Sequence, residues 1–266
     1  MRGRTCALIQ IKPIPKIRRM ATTSIAVEET PLVLRLLRRA DDALILGHRL
    51  SEWTGHGPVL EEELALANVA LDLIGQARAL YEYAGSMTGH TEDQLAYLRD
   101  AAAWRNCLLV ELPNGDFAFT IARLLLFAAF ADAYWRAAVG SSDATIAAIA
   151  ARAKKETAYH VRHAGEWLVR LGDGTEQSHR RAQSAIDDLW PYTGELFATD
   201  EADPDVAPLR EGWLGVIEPL LARATLTRPT DGWMQSGGRS GRHTEHLGHL
   251  LSEMQHLQRT YPGATW

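Results

Sequence analysis

The chain has 266 residues, 46% apolar and 23% charged, and a formal net charge of −5, the profile of a globular chain that buries about three quarters of its unfolded surface without staples. The acidic balance argues against a nucleic-acid footprint, and no uncharged apolar run is long enough to span a bilayer. Two cysteines, Cys6 and Cys107, build no disulfide framework, which points to a cytoplasmic protein.

Charge is unevenly placed. Arg2, Arg4, Lys12, Lys16, Arg18 and Arg19 are unopposed in residues 1–20, leaving 22 bases against 33 acids in residues 21–266. Residues 1–27 read as a basic, disordered tail and 28–266 as one helical domain whose acidity suits a basic partner surface. Thr30-Pro31 places a cap before a first-turn proline and predicts a helix to about Trp53, ended by Thr54-Gly55-His56-Gly57-Pro58. A second helix covers about 60–84 and stops at Gly85; a third covers about 92–110 and breaks at Pro113-Asn114-Gly115. An apolar helix resumes from Asp116 to about Val139, and Asp143 opens another over 144–171 that stops at Gly172-Asp173-Gly174. Thr175 caps a helix to about Phe197. Residues 198–208 read as a surface crossover, 209–226 and 243–260 as the last helices, and Gly237 to Arg242 as a glycine- and arginine-rich loop. Long helices joined by short turns define an all-α antiparallel bundle, with extra C-terminal helices packed outside it.

The informative residues are polar ones on helices that are otherwise apolar. In the second helix Leu66, Leu73 and Leu80 lie on one side and Leu64 and Leu71 on the other. Apolar groups on both sides predict burial between neighbours, with Asn68, Asp72 and Gln76 as an internal polar stripe. Asp132 directly follows the apolar run Leu124–Ala131, and Glu156, His160, His163 and Trp167 share a stripe of the next helix. Carboxylates inside a bundle are costly unless paired or metal-bound. A di-iron carboxylate bundle takes one Glu from each of two helices and a Glu-x-x-His from each of two others, because i and i+3 share a face. Here Gly75 stands three residues after Asp72 and Tyr159 three after Glu156, and the first-helix acid is Asp41, Asp42 or Glu52. Asp72, Gly75, Asp132, Glu156, Tyr159, His160 and His163 therefore read as a vestigial metal site with no catalytic residue and no metal of its own.

Two literal Glu-x-x-His strings, Glu176 to His179 and Glu253 to His256, fall at a bundle end and on the flank of a terminal helix. The bland account of these residues is also open: His160 and His163 as boundary histidines, and Asn68, Asp72 and Gln76 as a network that fixes helix register. A self-sufficient di-metal oxidase using Asp72, Asp132, Glu156, His160 and His163 is the alternative function, and a ferritin-like storage shell a third. Arg239 and Arg242, flanked by glycines, suit a phosphate such as that of coenzyme A, an acidic face of a partner, or plain solvent.

Several long, irregular strings carry a resemblance. Glu52-Trp53-Thr54-Gly55-His56-Gly57-Pro58, Leu71-Asp72-Leu73-Ile74-Gly75-Gln76-Ala77-Arg78, Glu111-Leu112-Pro113-Asn114-Gly115-Asp116-Phe117-Ala118, Lys155-Glu156-Thr157-Ala158-Tyr159-His160 and His243-Thr244-Glu245-His246-Leu247-Gly248 resemble the C subunits of ring 1,2-phenylacetyl-CoA epoxidases, over roughly residues 32–266. The resemblance implies a ferritin-like bundle that acts as a structural subunit beside a homologous catalytic A subunit. That subunit holds the di-iron centre, and a flavin/iron–sulfur reductase using NADPH supplies its electrons. The assembly epoxidises the ring of phenylacetyl-CoA with O₂ in aerobic phenylacetate breakdown. Gly75 and Tyr159 fit such a role by standing where the catalytic paralogue needs histidines.

Overall fold

Thr30 caps the first helix through its hydroxyl, which accepts from Val33 N at 3.3 Å, and Pro31 supplies the first-turn φ for α1 (Pro31–Ser51). A computed structural model describes residues 24–264 of the chain. Residues 1–23 of the expected tail lie outside the described residues. From Ser24 onward the chain is laid against the bundle: Ile25 N donates to Leu98 O at 3.1 Å, and Ile25 and Val27 pack on the core. Those two side chains, too apolar for a solvated tail, move the domain's edge inside the expected boundary.

After α1 come α2 (Leu60–Thr88), α3 (Glu92–Tyr97), α4 (Leu108–Glu111), α5 (Phe117–Ala138), α6 (Ala144–Gly172), α7 (Glu176–Leu189), α8 (Leu209–Arg223), α9 (Glu245–Met254) and α10 (His256–Thr260). No strand occurs among the described residues. The bundle is two antiparallel hairpins, α1 on α2 and α5 on α6, closed by α2 against α6, while α7 and α8 pack on the outer side of α5. α5 is apolar and long enough to cross a membrane by composition, but 78% of its apolar window is buried. It is the central core helix, and Trp213 of α8 donates its indole N–H to Leu126 O at 2.9 Å across it.

Four elements depart from the sequence reading, among them the expected helix over 243–260, which breaks at Gln255 into α9 and α10. α2 runs through Gly85 to a left-handed cap at Gly89, φ +75°. The glycine at 85 serves a close approach, since a Cβ there lies 2.2 Å from His90 O. The seventh helix stops at Leu189 instead of Phe197, because Pro191 cannot donate to the helical ladder and the chain continues in two 3₁₀ turns. The expected helix over 92–110 is three pieces around an extended stretch. There the backbone N–H groups of Arg105 and Cys107 donate to Asp41 and Asp42 at 2.7 and 2.8 Å; these amides are taken by side chains of α1 and are not available to a helix.

Candidate functional site

The principal buried polar cluster grows from one turn and a half of α1. Arg38, Arg39, Asp41 and Asp42 follow one another between Leu37 and Ala43, and all four are buried. Asp41 is fully enclosed: it accepts from Arg99 Nη1 at 3.0 Å, from the Tyr81 hydroxyl and from Arg105 N. Burial, reinforced by Asp41, holds the Tyr81 phenol well above its ordinary pKa. Asp42 accepts from both terminal nitrogens of Arg239, at 2.8 and 2.7 Å, and from Cys107 N. Burial opposes the Arg239 charge, but Asp42 outweighs it and the pKa is raised. The Cys107 thiol is pushed well up by burial and by Asp42.

The other half of the cluster faces the crossover. Arg38 pairs with Asp200 and, at 3.0 Å, with Asp203; Arg39 reaches the same Asp203 oxygen at 3.0 Å. Arg38 holds the Asp200 carboxyl down to about 2. Burial works against the Asp203 carboxylate, yet Arg39, Arg38 and Arg239 keep its pKa below the ordinary value. Glu195 gathers three backbone amides, those of Leu108, Gly237 and Arg239, at 2.8 to 3.0 Å. Each carboxylate is met by guanidinium or amide donors, the condition under which buried charge is tolerated.

The residues singled out from the sequence lie elsewhere, along the α2–α6 seam, as separate pairs. His160 Nε2 is 3.1 Å from Asp72 Oδ2, and His163 Nε2 is 3.3 Å from Glu62 Oε2. Gln76 Nε2 donates to Glu156 at 2.9 Å, and Arg152 Nε to its other oxygen at 2.8 Å. Burial pushes the His163 imidazole pKa down against the pull of Glu62. Asp132 is on α5, engaged by Arg136 one turn on at 2.6 Å. No three His, Cys, Asp or Glu side chains among the described residues converge as metal ligands would, so the oxidase constellation of Asp72, Asp132, Glu156, His160 and His163 does not assemble.

Gly75 and Tyr159 require a further correction. Asp72 already sits at the edge of the buried face, its side chain 35% exposed. Three residues on, at about 100° each, the helix has turned outward. A Cβ at Gly75 meets only the Arg152 side chain, at 3.4 Å, and Tyr159 is 38% exposed, stacked on His163 with ring centroids 5.8 Å apart. Neither position looks into the bundle, so neither is a slot from which an imidazole would reach an interior metal. Arg239 is corrected as well: its terminal nitrogens donate to Asp42 and to the carbonyls of Arg38 and Arg105, so the guanidinium is engaged within the fold and not presented to a phosphate. Arg242 is exposed.

Between α1, α2 and α5 the residues do not fit a di-metal centre. The space is a void of about 10 Å³ between Arg39, Asp42, Gln76, Phe127, Phe130 and Trp135, room for about one water. The Arg39 guanidinium lies over the rings of Phe130 and Tyr134, 5.1 and 4.8 Å from their centroids. Arg39 is held there by Asp203 at 3.0 Å, and Asp42, the acid that lines the void, is taken by Arg239. Sequence reading named Asp41, Asp42 and Arg239 singly but missed that they join Arg38, Arg39 and Asp203 in one cluster. Its signal was Arg38-Arg39-Ala40-Asp41-Asp42 set inside a helix apolar before and after, four charges with no solvated face to occupy.

Paired antiparallel helices, buried carboxylates aimed at the bundle interior and outer helices closing one side define an all-α, ferritin-like bundle. Within that class the chain belongs to the phenylacetic acid catabolic protein family, whose sequence pattern matches residues 18–266. It is similar to the C subunit of the 1,2-phenylacetyl-CoA epoxidase of Escherichia coli (strain K12), with 46% identity over 240 residues, spanning 86% of this chain and 97% of that protein.

Proposed function

We propose that this chain is the non-catalytic structural subunit of a 1,2-phenylacetyl-CoA epoxidase, supporting a homologous di-iron subunit that epoxidises the phenylacetyl-CoA ring with O₂. The likeness to the C subunit of such an epoxidase, along nearly the whole of that protein, supports the assembly. One observation supports the structural role: the Arg39 guanidinium, stacked on Phe130 and Tyr134 and paired with Asp203, occupies the space between α1 and α5. Iron and electrons then belong to the partner and to a flavin/iron–sulfur reductase, and this chain contributes a rigid face.

The test is metal analysis and turnover. The chain purified alone is expected to hold substoichiometric iron after anaerobic reconstitution and to turn over no phenylacetyl-CoA with the reductase and NADPH. Adding the homologous subunit restores turnover. One iron or more per chain, lost in the Asp72→Asn/Glu156→Gln variant, would overturn the proposal.

A further inference from the structure

The apolar residues on both sides of the second helix promise burial on both sides, and the structure delivers it on one. Leu66, Leu73 and Leu80 are in the core, whereas Leu60, Leu64 and Leu71 are 67, 56 and 66% exposed. Leu60, Leu64, Ala67 and Leu71 are spaced by four, three and four residues, so they form one straight stripe along the outer surface of α2. Ile74, three residues further, continues it while leaning on Gly47 of α1. A heptad seam of this kind is what one helix shows another, and scattered surface leucines do not line up in this way.

The strip of α6 beside the seam is basic. Arg152, Lys155, Tyr159 and Arg162 are exposed there, and Arg162 stacks on Tyr159 at 5.4 Å. Among the described residues neither Lys155 nor Arg162 has a salt-bridge partner. Gly75 lies between seam and strip, where an added Cβ would meet only the flexible Arg152 guanidinium, at 3.4 Å, so a second helix can come close once that side chain moves. We propose that this seam and strip are the docking surface for the homologous di-iron subunit, which meets them with a helix carrying an apolar stripe bordered by acids. Charge favours this occupant over a second copy paired antiparallel, because a two-fold pairing of α2 with itself in that sense sets the Lys155 and Arg162 row against its own image.

The inference rests on the subunit reading above, and the experiment separates the two. Binding of the full-length chain to the co-expressed homologous subunit is measured by calorimetry for wild type, Leu64→Glu/Leu71→Glu, Leu64→Ala/Leu71→Ala and Lys155→Glu/Arg162→Glu. The first variant is expected to bind roughly a hundredfold or more weakly, and the second and third roughly tenfold. The charge variant also flattens the salt dependence. The alanine variant, which improves helix propensity, guards against misfolding and is expected to melt with the wild type. Leucine variants that bind within twofold of wild type overturn the surface and leave the subunit reading standing. A wild-type chain that forms no complex overturns both. A wild-type homodimer that Leu64→Glu/Leu71→Glu converts to monomer overturns the occupant.

Discussion

Replacing Arg239 with methionine removes the guanidinium that closes the Asp42 side of the buried cluster. Asp42 is 1% exposed and stays so, keeping Cys107 N at 2.8 Å and the Arg39 guanidinium at 3.9 Å. The loss is therefore a bidentate charged pair with one partner left behind in the interior, which costs about 3–5 kcal/mol. The two residual donors place the expected value near 4 kcal/mol, or roughly 10 °C in Tm for a domain of this size. Guanidinium denaturation followed by tryptophan fluorescence gives the number directly, since Trp104 and Trp190 are buried. Asp42→Asn/Arg239→Gln, which neutralises both partners and keeps hydrogen-bonding groups, is expected to recover most of the loss. Arg242→Ala, on the exposed side of the same loop, stays within about 0.5 kcal/mol of wild type. A loss below about 1 kcal/mol for Arg239→Met refutes the reasoning, because it means the guanidinium is solvated and free for a ligand.

Gly75→His/Tyr159→His, which installs both missing imidazoles, is expected to bind no stoichiometric iron, because both positions face outward; two irons per chain by metal analysis would show that they face in. Gly172→Ala places a Cβ 2.2 Å from Ala224 O, an overpacking cost of about 2–3 kcal/mol that outweighs the gain of about 1 kcal/mol from helix propensity; thermal melting at or above wild type would refute it. The lowered pKa of His163 stabilises the fold fully above about pH 6.5, the ordinary imidazole value, and that share is lost as pH falls below it. The depressed carboxyls of Asp200 and Asp203 add stability that is present above about pH 4 and lost as pH falls toward about 2 for Asp200. Asp200 is half exposed, so screening holds its share to about 1 kcal/mol. Asp200→Asn flattens the lowest leg of a stability-against-pH curve, and an unchanged leg would count against the pairing.

The helical register of this chain is largely local chemistry, and it is legible for that reason. Asp143 Oδ1 accepts from Thr145 N and Ile146 N, and Thr175 closes a capping box with Ser178; both positions announce themselves by residue type. The segment 98–107 was not legible as an extended stretch, since what unwinds it is a pair of carboxylates some sixty residues earlier in the chain. The same applies to the break at Gln255, whose side-chain amide donates to Ala96 O and Arg99 O at 3.2 and 3.1 Å. At the site, sequence reading found the acids and histidines of the α2–α6 seam but placed them one face too deep. Helical periodicity orders residues around an axis; it does not say which side of the bundle a helix with two apolar faces turns to water. Leu64 and Leu71 carried that ambiguity.

The Asp42–Arg239 contact joins residues 197 apart in sequence, and this bears on how the chain is born. At about 5–20 residues per second of synthesis, the carboxylate waits roughly 10–40 s for its counter-charge to leave the ribosome. Until then the first hairpin carries an anion that it cannot bury, and its halves have reason not to clasp early. A nascent chain broken off before the glycine-rich loop never receives that last cation, so the fold withholds its final closure from unfinished copies.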